Sequence, residues 1–143
     1  RVRIQKGGDN LELVRENDEW RIAGHDTLEI RQNRMDDLLN NVLAVKRSTV
    51  MTEKAGRWST YSVDDKAGSH LTLLDGNNDT LGRFVFGQSR SDWSKSYVRI
   101  ESAPTVYLTD SNVIYRLNTS ATFWGEKPTP PEEAADSLQV EAD

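Results

Sequence analysis

Val2 and Ile4 alternate with Arg3 and Gln5, Gly7-Gly8-Asp9-Asn10 supplies turn residues, and Leu11-Glu12-Leu13-Val14-Arg15 resumes the period of two. After Glu16-Asn17-Asp18 the alternation returns in Trp20-Arg21-Ile22. Successive side chains on a strand point to opposite faces, so short alternating runs between turns predict an antiparallel meander with one apolar face. The pattern recurs later. His70 to Leu74 carries Leu71 and Leu73, Asp75-Gly76-Asn77-Asn78-Asp79 is dense in turn residues, and Leu81 to Phe86 resumes. Tyr97 to Ile100 and Thr105 to Leu108 predict a hairpin around Ser102-Ala103-Pro104, and the β-branched run Arg47 to Thr52 predicts one more strand.

One segment has a different period. Met35, Leu38, Leu39, Val42 and Leu43 are spaced as one stripe of an α-helix, with Arg34, Asp36, Asp37, Asn40 and Asn41 on the other side. The spacing predicts an amphipathic helix over Arg31–Val45 whose apolar face lies on the sheet. Each of the five apolar side chains would contribute about 1.5–3 kcal/mol on burial, so Leu39→Asp is expected to unfold the domain. Lys54 to Gly68 reads as irregular with one helical turn that sets Trp58 and Tyr61 on one side, and Val113, Ile114 and Leu117 suggest a short C-terminal helix. The expected fold class is α+β: a largely antiparallel sheet of about seven short strands, with the 31–45 helix packed on one face.

The length, 143 residues, suits one domain. Residues 1–125 are expected to form it, and residues 126–143 a disordered acidic tail containing prolines. Five of the 23 acids lie beyond Pro131, which leaves 18 acids against 18 bases in the body. A balanced surface offers no electrostatic footprint for a phosphate backbone, so no nucleic-acid partner is expected. No run approaches the roughly 20 apolar residues of a membrane span. The chain opens at Arg1 without a methionine, which is compatible with a leading segment removed in the cell or with trimming of a longer protein, and any membrane contact is expected only through a segment absent from this chain.

Cysteine is absent, which removes disulfides, thiolate ligands and thiol nucleophiles. Of the two histidines, His25 sits in a Gly-His-Asp turn, and His70 follows Ser69 on a strand, where the two point to opposite faces. Asp75, Asn77 and Asp79 match the first ligand positions of a calcium loop, but Thr80 and Phe86 stand where its glycine and glutamate belong, so a hairpin turn is the better reading. Asp36-Asp37 and Asp64-Asp65 read as solvated pairs. No catalytic residue, metal or cofactor is expected, and the chain is read as a non-enzyme. The binding candidates are Arg90, Trp93 and Tyr97, in and beside the polar loop 87–95. An exposed Trp93 would suit a glycan or a partner protein. The blander and favoured expectation is that Trp93 folds back over the sheet edge beside Tyr97.

The order of these elements is familiar. Leu11 to Glu16, Glu19-Trp20-Arg21-Ile22, Asp37-Leu38-Leu39, Leu71-Thr72-Leu73 with Asp75-Gly76, Phe86-Gly87, Tyr97-Val98-Arg99 and Val106-Tyr107-Leu108 together resemble the bacterial domain of unknown function family 4340, over about Asp9 to Asn118. Residues 53–66 depart from its pattern, with GRWSTYSVDD in place of a short leucine-containing turn. The resemblance implies an extracytoplasmic domain that follows a single membrane anchor. Some members accompany ABC transport systems of the gliding-motility type. It carries no catalytic residue over. The expected function is therefore a non-catalytic accessory domain, tethered to the inner membrane and facing the periplasm or cell surface, with a protein partner in the cell envelope. The alternative is a glycan or small-ligand module using the 87–95 loop.

Overall fold

A computed structural model describes residues 1–89 and 91–128. Eight strands form one sheet: β1 (Val2–Lys6), β2 (Asp9–Glu16), β3 (Glu19–Ile22), β5 (Arg47–Thr52), β6 (Ser69–Leu74), β7 (Thr80–Gln88), β8 (Ser96–Ile100) and β9 (Val106–Thr109). Their spatial order is β3-β2-β1-β6-β7-β8-β9-β5, and every neighbouring pair is antiparallel. The two meanders are thus joined edge to edge through β1 and β6, and β5 returns to close the far side. The α+β class holds. The sheet has eight strands rather than about seven, and β4 (Glu29–Ile30) pairs separately with β10 (Gly125–Glu126). Two-residue strands carry too little period to be read from sequence.

Register divides the side chains into two faces. Leu11, Ile4, Leu71, Phe84 and Ile100 pair in a row across five strands, as do Ile22, Leu13, Val2 and Leu73 across four. These rows as far as Phe84 and Leu73, with Phe86 and Val98, form the floor of the main core. Met35, Leu38 and Val42 cover it from α1 (Gln32–Asp37) and a π-helical turn (Leu38–Val42), assisted by Val113, Leu117 and the fully buried Trp124. The C-terminal helix anticipated at Val113–Leu117 is a 3-10 turn at Ile114–Arg116, followed by a four-residue helix, α2 (Ala121–Trp124).

The 31–45 helix is shorter than its hydrophobic stripe. The N–H of Leu43 donates to the Leu38 carbonyl at 3.1 Å, a five-residue closure that widens the last turn and ends the helix. Widening rotates the stripe, so that Leu39 is 37 % and Leu43 40 % exposed while Met35, Leu38 and Val42 are buried. The expected burial of five side chains reduces to three. Asp37, expected in solvent, accepts from the Arg116 guanidinium and the Asn41 amide and so ties the helix to the 3-10 turn.

A smaller core occupies the opposite face. Val63, Val85, Tyr97 and Val106 are buried there, under Trp58 and Tyr61 of a 3-10 segment (Ala55–Tyr61) that replaces the single helical turn anticipated for this stretch. The Tyr61 and Tyr97 rings meet edge to face with centroids 4.9 Å apart. Gly87 permits this packing: a Cβ there would collide with the carbonyl oxygens of Tyr61 and Ser62. Arg99, 4 % exposed, locks the segment down. Its guanidinium donates to the Val63 carbonyl at 2.6 Å and to Asp65 at 2.6 Å, and stacks 3.8 Å from the Trp58 ring centre.

Glu126 pairs with Glu29 across the β4–β10 ladder and forms an ion pair with Arg31 at 3.1 Å, so the folded body includes this residue. The remainder of the acidic tail expected at 126–143 lies outside the described residues from position 129 onward.

Candidate functional site

Three surfaces deserve chemical description. The first is the loop between β7 and β8, where sequence placed the binding candidates. Arg90 lies outside the described residues. Trp93 is 72 % exposed, which overturns the expectation that it folds back over the sheet. Tyr97 is buried in the smaller core against Tyr61, so its ring belongs to the packing and does not join Trp93.

Hydrogen bonds hold the Trp93 turn from both sides. The buried Ser89 hydroxyl accepts the Asp92 N–H at 3.2 Å. The Asp92 carboxylate accepts the Ser94 N–H at 2.9 Å and its hydroxyl at 2.6 Å. Those two donors, the hydroxyl first, hold the Asp92 carboxyl below the ordinary aspartate range. Asn112 completes the clamp, donating to the Trp93 carbonyl at 2.9 Å and to the Gln88 side chain at 3.2 Å. Ser89 and Asp92, short polar residues, shape this turn because their side chains bond neighbouring backbone N–H groups. The indole is thereby presented to solvent on a fixed base.

The second surface is a polar groove of about 490 Å³ on the face that carries the smaller core. Arg3, His70, Thr72 and Arg83 project from neighbouring strands, and Trp58, Asp65 and Arg99 form one wall. Arg3 is held by Glu12 at 2.7 Å, and the His70 ring Nε2 lies 3.0 Å from the Asp65 carbonyl. Among the described residues no acid pairs with Arg83. Ser69, 2 % exposed, is buried on the other side of the strand from His70, as strand alternation requires. No His/Asp/Glu group among the described residues is arranged to hold a metal. Asp75 uses its carboxylate to accept the N–H groups of Asn77 and Asp79, at 2.8 and 2.9 Å, inside the hairpin turn.

The third is an apolar cavity of about 280 Å³ on the main-core face. Its floor is Leu71, Leu73, Phe84, Phe86, Val98 and Ile100, its wall is Val42, Leu43 and Val45, and Lys46 and Arg47 stand at its rim. The cavity opens where the helix ends. The stretch read from sequence as helix to Val45 stops at Val42, and the floor beyond keeps Leu73, Phe84 and Ile100 only half-buried. Neither cavity was visible in the sequence, because each is formed by residues distant along the chain.

The sequence profile of the family described as Domain of unknown function (DUF4340) matches residues 20–136. The chain belongs to the DUF4340 family. No curated protein and no solved structure matches it. Two residues that carried the family resemblance have visible duties in this DUF4340 domain. Gly87 admits the backbone of the 3-10 segment, and Arg99 pins that segment to the sheet.

Proposed function

We propose that this DUF4340 domain is a non-catalytic accessory module that docks a protein partner in the bacterial cell envelope, on the extracytoplasmic side of the inner membrane and in association with an ABC-type transport system. One observation carries the docking part: a Trp side chain, 72 % exposed, on a turn held by hydrogen bonds from Ser89, Asp92 and Asn112. A large aromatic on a fixed base loses little conformational freedom when a partner pocket closes over it, which is the property of interface anchors. Location and the transport context rest on the family resemblance and its implied membrane anchor.

The test uses the full-length protein in its native bacterium. A photo-crosslinking residue at position 93 is expected to capture a transporter subunit, and one at exposed Arg15 on β2 is not. A Cys introduced at exposed Arg15, away from the Trp93 turn, can be labelled with a membrane-impermeant maleimide in intact spheroplasts, with the parent full-length protein as background. Protection from the reagent until lysis would place the domain in the cytoplasm and overturn the proposal. The same exposed indole supports a second reading, a glycan or small-ligand module. Oligosaccharide titration that quenches Trp fluorescence in the parent but not in Trp93→Ala would favour it.

A further inference from the structure

The apolar cavity lies beside the end of the π-helical turn Leu38–Val42. Its floor and wall are hydrocarbon, and no buried side-chain nitrogen or oxygen among the described residues lacks a hydrogen-bond partner. Thr109, the uncharged polar residue of the lining, already has its hydroxyl engaged, donating to the Ser111 carbonyl at 2.7 Å and accepting the Ser96 N–H at 3.0 Å. A ligand in the cavity therefore needs no polar group at depth. The rim differs. Lys46 and Arg47 both line it, and among the described residues neither side chain forms an ion pair, the nearby Asp110 carboxylate being taken up by the Lys46 backbone N–H at 3.0 Å. Arg47 is steadied by the Tyr107 ring, 4.8 Å from its guanidinium carbon.

We infer that this cavity binds the alkyl chain of a free, single-chain fatty-acid-like carboxylate, whose head pairs with Lys46 and Arg47. Charge complementarity sets the sign of the head, and a planar guanidinium matches a carboxylate in two parallel hydrogen bonds. Size sets the chain number. At about 280 Å³ the cavity falls just below the usual range of ligand pockets, which favours one alkyl chain over the two of a bilayer lipid. The cavity opens on the main-core face where the π-helical turn ends the helix, and no residue of the Trp93 turn lines it.

Calorimetric and methyl-NMR titration of the 143-residue chain with laurate, kept below its micelle concentration, tests the inference. Saturable one-to-one binding is expected, with shifts at the methyls of Leu71, Leu73 and Ile100. Neutral dodecanol, and laurate against the double variant Lys46→Glu/Arg47→Glu, should each bind at least about tenfold more weakly, the loss expected for one charge-assisted contact. Leu43→Trp, at a half-exposed wall position, should fill the cavity and abolish binding while leaving the urea midpoint unchanged. Absence of methyl shifts up to the solubility limit of laurate would overturn the inference. So would equal affinity for a dodecyl ammonium, or binding confined to phosphatidylglycerol vesicles.

Discussion

Asp92 uses its carboxylate inside its own turn, and this makes the Trp93 surface sensitive to acid. Its folded-state pKa lies below the ordinary value because Ser94 donates two hydrogen bonds to the charged form. For a depressed acid, the stabilisation is complete above the unfolded value and disappears as pH falls through the folded one. The turn should therefore stay ordered across neutral and mildly acidic pH and loosen only below the usual aspartate range. Exchange of the Ser94 amide, which donates to the Asp92 carboxylate, followed against pH and corrected for its intrinsic pH dependence, checks this, and Asp92→Asn should flatten the dependence. Leu39 makes a second residue-scale case. From spacing alone Leu39→Asp unfolds the domain, yet the side chain is 37 % exposed, so the substitution should shift stability by no more than about 1 kcal/mol. Leu38→Ala, at a fully buried position, should instead cost about 2–5 kcal/mol in urea denaturation. The sequence shows which residues share a stripe. It does not show that a widened turn will rotate part of the stripe into water.

Among the elements, strands were more legible than helices, and the reason is physical. A two-residue period repeats within four or five positions, so β1, β2, β6, β7 and β8 could be read directly from alternation and turn residues. Helix ends depend on which carbonyl an amide finds, and the Leu43–Leu38 bond leaves no mark in composition. The 3-10 segment Ala55–Tyr61 was opaque for a related reason: its packing is dictated by a glycine and an arginine far along the chain. That dependence can be tested. Gly87→Ala should push the Tyr61–Ser62 backbone off β7, cost about 1–3 kcal/mol by overpacking and broaden the Tyr61 and Tyr97 ring resonances. The main-core methyls, on the opposite face, should keep their shifts.

At the scale of the molecule, the first strand in sequence is internal to the sheet. β1 lies between β2 and β6, and Val2 and Ile4 contribute to the main core from that position. Local alternation revealed two meanders but not which edges meet, because a strand pattern says which face is buried and nothing about the neighbour. The family profile begins at residue 20, after β1 and β2. A fragment confined to 20–136 would lose Val2, Ile4, Leu11 and Leu13 from the core and leave the inner side of β6 without hydrogen-bond partners. Four buried aliphatic side chains are each worth about 1.5–3 kcal/mol, a sum comparable to the whole stability of an ordinary domain. An unpaired β6 would also present an apolar edge to other chains. The 20–136 fragment should therefore show no cooperative urea transition and should aggregate, whereas residues 1–128 should unfold in one transition by circular dichroism. A cooperative, soluble 20–136 fragment would mean that β6 can serve as an edge and that the first meander is an appendage to the core.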